Sequence, residues 1–311
     1  MSEDPAWFAE PPLWGVEQRF KTRSRLFRQV SPYQTVEIYD TEPFGRMLVL
    51  DGAVQTTEKD EFIYHEMLAL VPMLTHPAPR RVAIIGGGDG GTLRRVLQFG
   101  TVEEVWQVEL DPLVTDTCQK YLPTISAGSF LDKRARVRFA DGARFLREAQ
   151  TAFDVILVDS TDPVGAAEVL FSEQFYRDAS RALTREGILV TQSGSPLLMG
   201  EELERALSNI GKVFGLVRTY LASVPSYPGV LWSFTLASNV HDPLSVPRDE
   251  LVRRLDALDV LPDYYTPDVH FAGFALPRFL SARLKECAPA VISGQAPNGV
   301  KVARRVDLFS S

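Results

Sequence analysis

The sequence predicts an α/β protein in which a small antiparallel β unit precedes a larger, mostly parallel sheet. Three observations carry that reading. From Arg81 onward short apolar strands alternate with helical segments, a glycine turn follows the first of those strands, and Asp51-Gly52 joins two apolar runs upstream.

In chain order, Thr35-Val36-Glu37-Ile38-Tyr39 alternates as a half-buried strand does, and Thr41-Glu42-Pro43-Phe44-Gly45 is turn chemistry. Arg46–Leu50 and Ala53–Thr57 then flank Asp51-Gly52, a two-residue hairpin signal. Lys21, Arg23, Arg25 and Arg28 read as a solvated strand edge or a subunit contact rather than a nucleic-acid patch. Asp60 is placed to cap a helix over Phe62–Leu74, which Pro77 and Pro79 close. Seven strands follow, at Val82–Ile85, Val105–Leu110, Val137–Phe139, Val155–Val158, Ile188–Thr191, Leu216–Leu221 and Leu231–Ala237. Repeated strand–helix units give a parallel sheet covered on both faces, with ligands at the carboxyl ends of its strands. A short connection holding Pro225, Pro228 and Gly229 makes the last two strands an antiparallel pair. The expected organisation is a β unit over 1–60, a catalytic domain over 61–285 and a tail over 286–311 without strong period.

At 311 residues, 45% hydrophobic and 23% charged, the chain has the composition of an ordinary globular protein whose core needs no staples. A formal charge of −7 argues against nucleic-acid and anionic-membrane partners, which favour basic faces. Cys118 and Cys287 are too few and too far apart for a disulfide framework or zinc cluster. No apolar stretch approaches the roughly 18 residues of a membrane span. Met1 to Pro12 lacks a basic end followed by an apolar run, so no secretory signal is expected and the cytoplasm is the expected compartment.

The most telling stretch is Ile84-Ile85-Gly86-Gly87-Gly88-Asp89-Gly90-Gly91. Glycines there let backbone approach a ligand and start a helix beneath it. Asp89 would repel a pyrophosphate, and equally the carboxylate of intact S-adenosylmethionine. It suits a sulfonium nucleoside whose nearby substituent is an ammonium. Four successive strands end in an acid, Asp89, Glu109, Asp141 and Asp159, and a parallel sheet gathers those ends on one rim. Glu109 follows the glycine turn by about 20 residues, the spacing at which an acid reaches ribose hydroxyls; the plain alternative is a solvent-facing strand end. Asp141-Gly142 can accept from an adenine amino group, or be an ordinary turn or helix cap.

Val158-Asp159-Ser160-Thr161-Asp162-Pro163 is the sharpest local signal, since Pro163 biases Asp162 toward extended backbone. The pair suits amine alkylation. An amine with a pKa of about 10.4 must lose a proton before its lone pair attacks carbon. Asp159 can take that proton while Asp162 holds the substrate, and a sulfonium leaving group needs no metal. Tyr64, His65, Gln55 and Tyr227 stand near enough in the predicted topology to finish a pocket, although each alone also reads as a packing residue. His65-Glu66 does not continue into a zinc-protease pattern, and His76, His241 and His270 read as satisfied or surface histidines.

Taken together the chain resembles the polyamine aminopropyltransferases, most closely the spermidine synthases. The matching segments are Leu48–Glu58, Asp60–Glu66, the glycine turn, Asp159–Gly165, Leu170-Phe171 and the Tyr227 loop, with Tyr264-Tyr265, His270 and Phe274–Pro277 near the end. The resemblance implies a Rossmann-like, seven-stranded methyltransferase-type sheet with a small N-terminal antiparallel β domain, and a homodimer or tetramer built partly through that domain. It implies transfer of an aminopropyl group from decarboxylated S-adenosylmethionine, a co-substrate, to putrescine, with no cofactor and no metal. By matching position Gln34, Gln55, His65, Gly86, Gly88, Asp89, Glu109, Asp141 and Gly142 would bind the donor. Asp159 would accept the proton, and Trp14, Tyr64, Asp162, Gln192 and Tyr227 would hold the diamine. Thr266 replaces the usual Asn after the paired tyrosines. Trp232 puts a bulky ring after the Tyr227 loop, which bears on acceptor length if it faces the diamine. The alternatives are a methyltransferase using intact S-adenosylmethionine and a non-catalytic nucleoside-binding protein on the same scaffold.

Overall fold

The computed structural model describes residues 6–11, 15–149, 153–162 and 165–287. The N-terminal sheet comprises β1 (Trp7–Ala9), β2 (Arg19–Val30), β3 (Thr35–Thr41), β4 (Gly45–Leu50) and β5 (Ala53–Thr57), paired in that order and antiparallel throughout. Asp51 and Gly52 both take positive φ, 48° and 86°, the mirror-image turn that matches strand twist and that the Asp-Gly pair predicts. The basic residues of β2 face acids on or beside β3: Arg23 on Asp40, Arg25 and Arg28 on Glu37, Lys21 on Glu42. They form a ladder of cross-strand pairs, solvated at Lys21 and Arg23 and closing over a buried Glu37 at Arg25 and Arg28.

The chain then enters α1 (Glu61–Thr75), β6 (Arg81–Gly86), α2 (Gly91–Leu97), β7 (Glu104–Glu109), α3 (Pro112–Tyr121), α4 (Pro123–Ser126), β8 (Ala135–Phe139) and α5 (Gly142–Glu148). It continues with β9 (Phe153–Asp159), α6 (Glu173–Ala182), β10 (Leu183–Gln192), α7 (Gly200–Gly211), β11 (Leu216–Ser223), β12 (Leu231–Ser238), α8 (Arg248–Leu255), α9 (Pro267–Gly273) and α10 (Arg278–Cys287). The second sheet has the order β11-β12-β10-β9-β6-β7-β8, parallel from β10 to β8 and antiparallel where β12 meets β10 and β11. Fold class and the antiparallel last pair are therefore as the sequence predicts.

Alternating strand residues separate two cores. Val82, Ile84, Leu157, Val190 and Phe234 pack with α1, while Ala83, Ile85, Ile156, Val158 and Leu189 pack beneath α5, α6 and α7. At about 1.5–3 kcal/mol per buried aliphatic side chain, these layers hold the strands in register. Val36, Ile38, Leu48 and Leu50 of the first sheet meet Val114, Cys118 and Ile125, so a third core joins the first sheet to α3 and α4.

Asp60 departs from expectation. It precedes α1 but makes no capping bond. Its Oδ2 accepts from the Ser226 amide at 2.8 Å, and its Oδ1 accepts from the Ser226 and Thr57 hydroxyls at 3.1 and 2.5 Å. The side chain is turned away from its own helix, both carboxylate oxygens being taken by Ser226 and one of them also by Thr57. Gln18 Nε2 donates to Ser226 O at 3.1 Å, which ties the same loop to the N-terminal unit. The readings of His270 and His76 hold: His270 lies between the Tyr265 hydroxyl and Pro243 O, and His76 Nδ1 accepts from the Ala78 amide at 3.2 Å. His241, packed edge-on against His76, is neither satisfied nor on the surface, since its Nε2 is buried without a partner.

Candidate active site

A cavity of about 580 Å³ opens where the carboxyl ends of β6, β7, β8 and β9 face the N-terminal sheet. Every predicted site residue that the structure describes lines it: Gln34, Gln55, Tyr64, His65, Gly86, Gly88, Asp89, Glu109, Asp141, Gly142, Asp159, Asp162, Gln192 and Tyr227. Trp14 lies outside the described residues.

Two glycines let the turn pack tightly, and Gly86 is obligatory for plain steric reasons. Gly86 has φ +89°, and a Cβ there would sit 2.1 Å from the Asp159 carbonyl oxygen. A Cβ on Gly88 would lie 2.9 Å from both Glu109 Oε2 and Val114 Cγ1. The turn thus packs backbone directly against the acids that flank it.

The rim acids would repel one another, and the protein answers each with donors of its own. Asp89 Oδ1 accepts from the Gly91 amide at 2.7 Å and lies 3.4 Å from His65 Nε2, whose Nδ1 lies 2.6 Å from Glu61 Oε2. Arg94 Nη2 backs Glu61 at 2.6 Å. Burial works against a charged His65, but Asp89 and Glu61 outweigh it and raise the imidazole to about 10. Asp89 is opposed by burial yet held below its ordinary range by that imidazolium and the Gly91 amide. The turn carboxylate is therefore charged and half-neutralised, rather than a bare anion. Asp141 Oδ1 accepts from the Ala143 and Arg144 amides, so it is the helix cap of α5 and also lines the cavity.

Glu109 Oε1 accepts from the Asp111 amide at 2.9 Å, but burial raises the carboxyl to about 7. Burial likewise lifts Asp162 to about 6. Asp159 sits at the end of β9, its Oδ1 accepting from Tyr64 Oη at 2.8 Å and its Oδ2 from Thr92 Oγ1 at 2.6 Å. Burial and the Asp89 charge raise it, while His65 and the two hydroxyls pull it back. Gln192 Nε2 donates to Ser160 O and Thr161 O at 3.1 and 3.3 Å and so braces the loop that carries Asp162. Tyr227 Oη donates to Gln55 O at 2.6 Å, and its ring packs edge-on against Tyr64 and Trp232.

Sequence reasoning missed Glu10 and Thr92. Glu10 Oε1 accepts from the Val54 amide at 2.9 Å, its buried Oε2 has no partner, and burial raises it to about 7. It comes from far along the chain and has no local motif. Thr92 belongs to the first turn of α2, where a hydroxyl reads as a helix residue until β9 is seen beside it. Among the described residues no group of three His, Cys, Asp or Glu side chains is arranged to hold a metal.

A parallel sheet with a glycine turn and acids at successive strand ends, closed by a smaller β sheet, defines an enzyme class that acts on a nucleoside at the sheet's carboxyl rim. The comparisons agree. A profile described as Spermine/spermidine synthase domain matches residues 61–246, and one described as Spermidine synthase tetramerisation domain matches 6–58. The chain belongs to the spermine/spermidine synthase family. It is 43% identical over 279 residues to the polyamine aminopropyltransferase of Desulforudis audaxviator (90% of this chain, 99% of that one), and 42% identical to that of Moorella thermoacetica (90% and 96%). A spermidine synthase crystallised with the transition state analogue AdoDATO superposes with TM-score 0.86 at 39% identity (90% and 95% covered). The Thermotoga maritima spermidine synthase does so at 0.82 and 38% (89% and 93%).

Proposed function

We propose that this protein is a spermidine synthase: it moves the aminopropyl group of decarboxylated S-adenosylmethionine to putrescine, giving spermidine and 5′-methylthioadenosine. The observation that carries this is Asp159, held by the Tyr64 and Thr92 hydroxyls at the point of the rim between the acids of β6–β8 and Gln192 on β10. In this reading the nucleoside lies along the β6–β8 side. Glu109 accepts from the ribose, Asp141 and Gly142 meet adenine, and Gln34, Gln55, Gly86 and Gly88 shape the groove. Asp89 and His65 face the aminopropyl ammonium.

The diamine enters from the β10 side, against Tyr64, Tyr227 and Gln192. Asp162 and Glu10 take its far ammonium. The near nitrogen gives its proton to Asp159, its lone pair forms the new C–N bond, and the C–S bond electrons pass to sulfur, leaving a neutral thioether. The raised pKa values of Glu10 and Asp162 support the reading, because buried carboxyls short of positive charge are what a diammonium chain binds. The proposed reaction needs no cofactor or metal; alignment of two bound reactants supplies much of its rate.

The test is product mass from putrescine with decarboxylated or intact S-adenosylmethionine. Adduct from the decarboxylated donor alone supports the reading; methyl transfer from the intact donor, or no product from either, refutes it. On the tetramerisation profile we further propose a homo-oligomer through the N-terminal sheet, to be checked by light scattering, and a cytoplasmic enzyme divided functionally near residue 60. No helix among the described residues is long and apolar enough to cross a membrane. A role for the tail over 286–311 stays outside the proposal, since residues from 288 onward lie beyond the described ones.

A further inference from the structure

The donor proposed above carries an ammonium as well as a sulfonium, yet the place assigned to that ammonium already holds a cation of the protein's own. His65 is 2% exposed and has a carboxylate at each ring nitrogen, Glu61 Oε2 at 2.6 Å from Nδ1 and Asp89 Oδ1 at 3.4 Å from Nε2. A ring flanked in this way donates from both nitrogens, which makes it an imidazolium. Arg94 Nη2 lies 2.6 Å from Glu61 Oε1 and extends the alternation of sign to Asp89, His65, Glu61, Arg94. The other ionisable groups that face the cluster are Arg95, 3.9 Å from Glu61, Asp159 at the end of β9, and Tyr64, whose ring meets the imidazole edge-on.

The imidazole has no room to swing away from an arriving cation. A Cβ on Gly91 would sit 2.6 Å from Nε2 and closer still to Nδ1 and Cε1, so the ring is packed onto the backbone of the first residue of α2, with Glu61 holding its other nitrogen. From this cluster we infer that binding of the donor expels the proton from His65 Nε2. The donor's ammonium takes over as the cation facing Asp89, and the ring stays in place as a neutral imidazole, with Nδ1–H on Glu61 and Nε2 turned acceptor. The inference rests on the donor proposed above. The N–H electron pair remains on Nε2, the proton passes to water, and one cation replaces another, so the charge of the cluster does not change.

Two cations sharing one carboxylate in a closed pocket repel far more than they do in bulk water. The ring is the one that yields, because an alkylammonium unaided keeps its proton to about 10.4 and an imidazolium only to about 6.5. In the free enzyme burial opposes the charge on His65, but Asp89 and Glu61 hold it up to about 10. Below that value each donor bound releases one proton, and affinity for the decarboxylated donor rises by about 10-fold per pH unit. Methylthioadenosine has no ammonium, so it leaves the ring charged and shows no such gain.

The test is titration calorimetry of the purified chain at pH 8.5, in two buffers of different ionisation enthalpy, with decarboxylated S-adenosylmethionine and with methylthioadenosine. At that pH Glu10, Glu109 and Asp162, at about 7, 7 and 6, are already ionised in the free protein. The methylthioadenosine arm subtracts whatever the ribose and adenine contacts release. Expected is about one proton released per decarboxylated donor and none per methylthioadenosine. Nitrogen-15 spectra of labelled histidine give the second readout, with His65 assigned among the four imidazoles through His65→Gln. Its signal should pass from the imidazolium pattern to that of a neutral ring protonated at Nδ1 when the decarboxylated donor is added, and stay put with methylthioadenosine. Equal proton counts for the two ligands overturn the inference, and so does an imidazolium signal that survives donor binding or a free-protein ring already neutral at pH 8.5. The calorimetric count decides alone if the glutamine variant does not fold. Failure of the parent reading looks different: the decarboxylated donor then binds in neither buffer.

Discussion

Replacing Tyr64 with Phe removes one atom and leaves the ring contacts to Tyr227, His65 and Phe234 in place. What disappears is the phenol's hydrogen bond to Asp159 Oδ1 at 2.8 Å, a bond that favours the carboxylate form. Hydrogen bonds to charged groups contribute about 1.5–3 kcal/mol. The loss lets Asp159 rise beyond the lift that burial and Asp89 already impose. The proposed reaction needs the carboxylate, so the acid limb of kcat/KM should shift to higher pH while the alkaline side is little changed. The assay is methylthioadenosine release from pH 5.5 to 9.5 under single-turnover conditions. If Tyr64 merely cradles the diamine, KM rises and the limb stays where it was; superimposable wild-type and variant profiles refute the reasoning.

Three other outcomes follow from the same geometry. Asp159→Asn should cut kcat by about 10²–10⁴, the usual worth of a positioned acid–base group, with methylthioadenosine affinity by calorimetry within about 3-fold of wild type. A kcat near wild type removes the proposed proton acceptor. Gly88→Ala sets a methyl 2.9 Å from Glu109 Oε2 and should weaken methylthioadenosine binding by about 10-fold or more, because neither backbone nor the buried acid can yield freely; unaltered affinity contradicts the close packing described. Glu109 titrates near 7 in the folded protein against 4.5 for an ordinary glutamate, so the fold binds its proton more tightly than the unfolded chain does. That stabilisation is complete below pH 4.5 and is lost as pH rises through 7, roughly 3 kcal/mol in all. Glu109→Gln should therefore gain on wild type in melting temperature across that window, and parallel curves would argue against a buried, uncompensated carboxyl.

The fold was legible because its signals are local and periodic. Strand runs, the Asp51-Gly52 turn and the glycine turn each depend on neighbours in sequence, and the acids at strand ends become a site by topology alone. Asp60 was misread for the complementary reason. Its preference for a helix end is local, while the donors that win it, the amide and hydroxyl of Ser226, arrive from a loop that no window around residue 60 contains. Glu10 stayed hidden since a lone acid in the N-terminal strand region carries no pattern until the sheet folds over the rim. His65 was found by family position, yet its charge was not, because an imidazolium held between Glu61 and Asp89 depends on α1 meeting the glycine turn.

Helix α1 has almost no solvent face: among its residues only Phe62 is not buried. Its Glu66 is fully enclosed, taking the amides of Asp263, Tyr264 and Tyr265 and pairing with Arg95. The phenol that serves Asp159 and the ring that serves Asp89 are thus delivered by the last segment able to tolerate water. Turnover in this protein doubles as a gauge of complete folding, since a partly assembled chain in which that helix is undocked has neither group within reach of the rim. Inhibitors that merely loosen the helix's seat should silence the enzyme without touching the nucleoside groove.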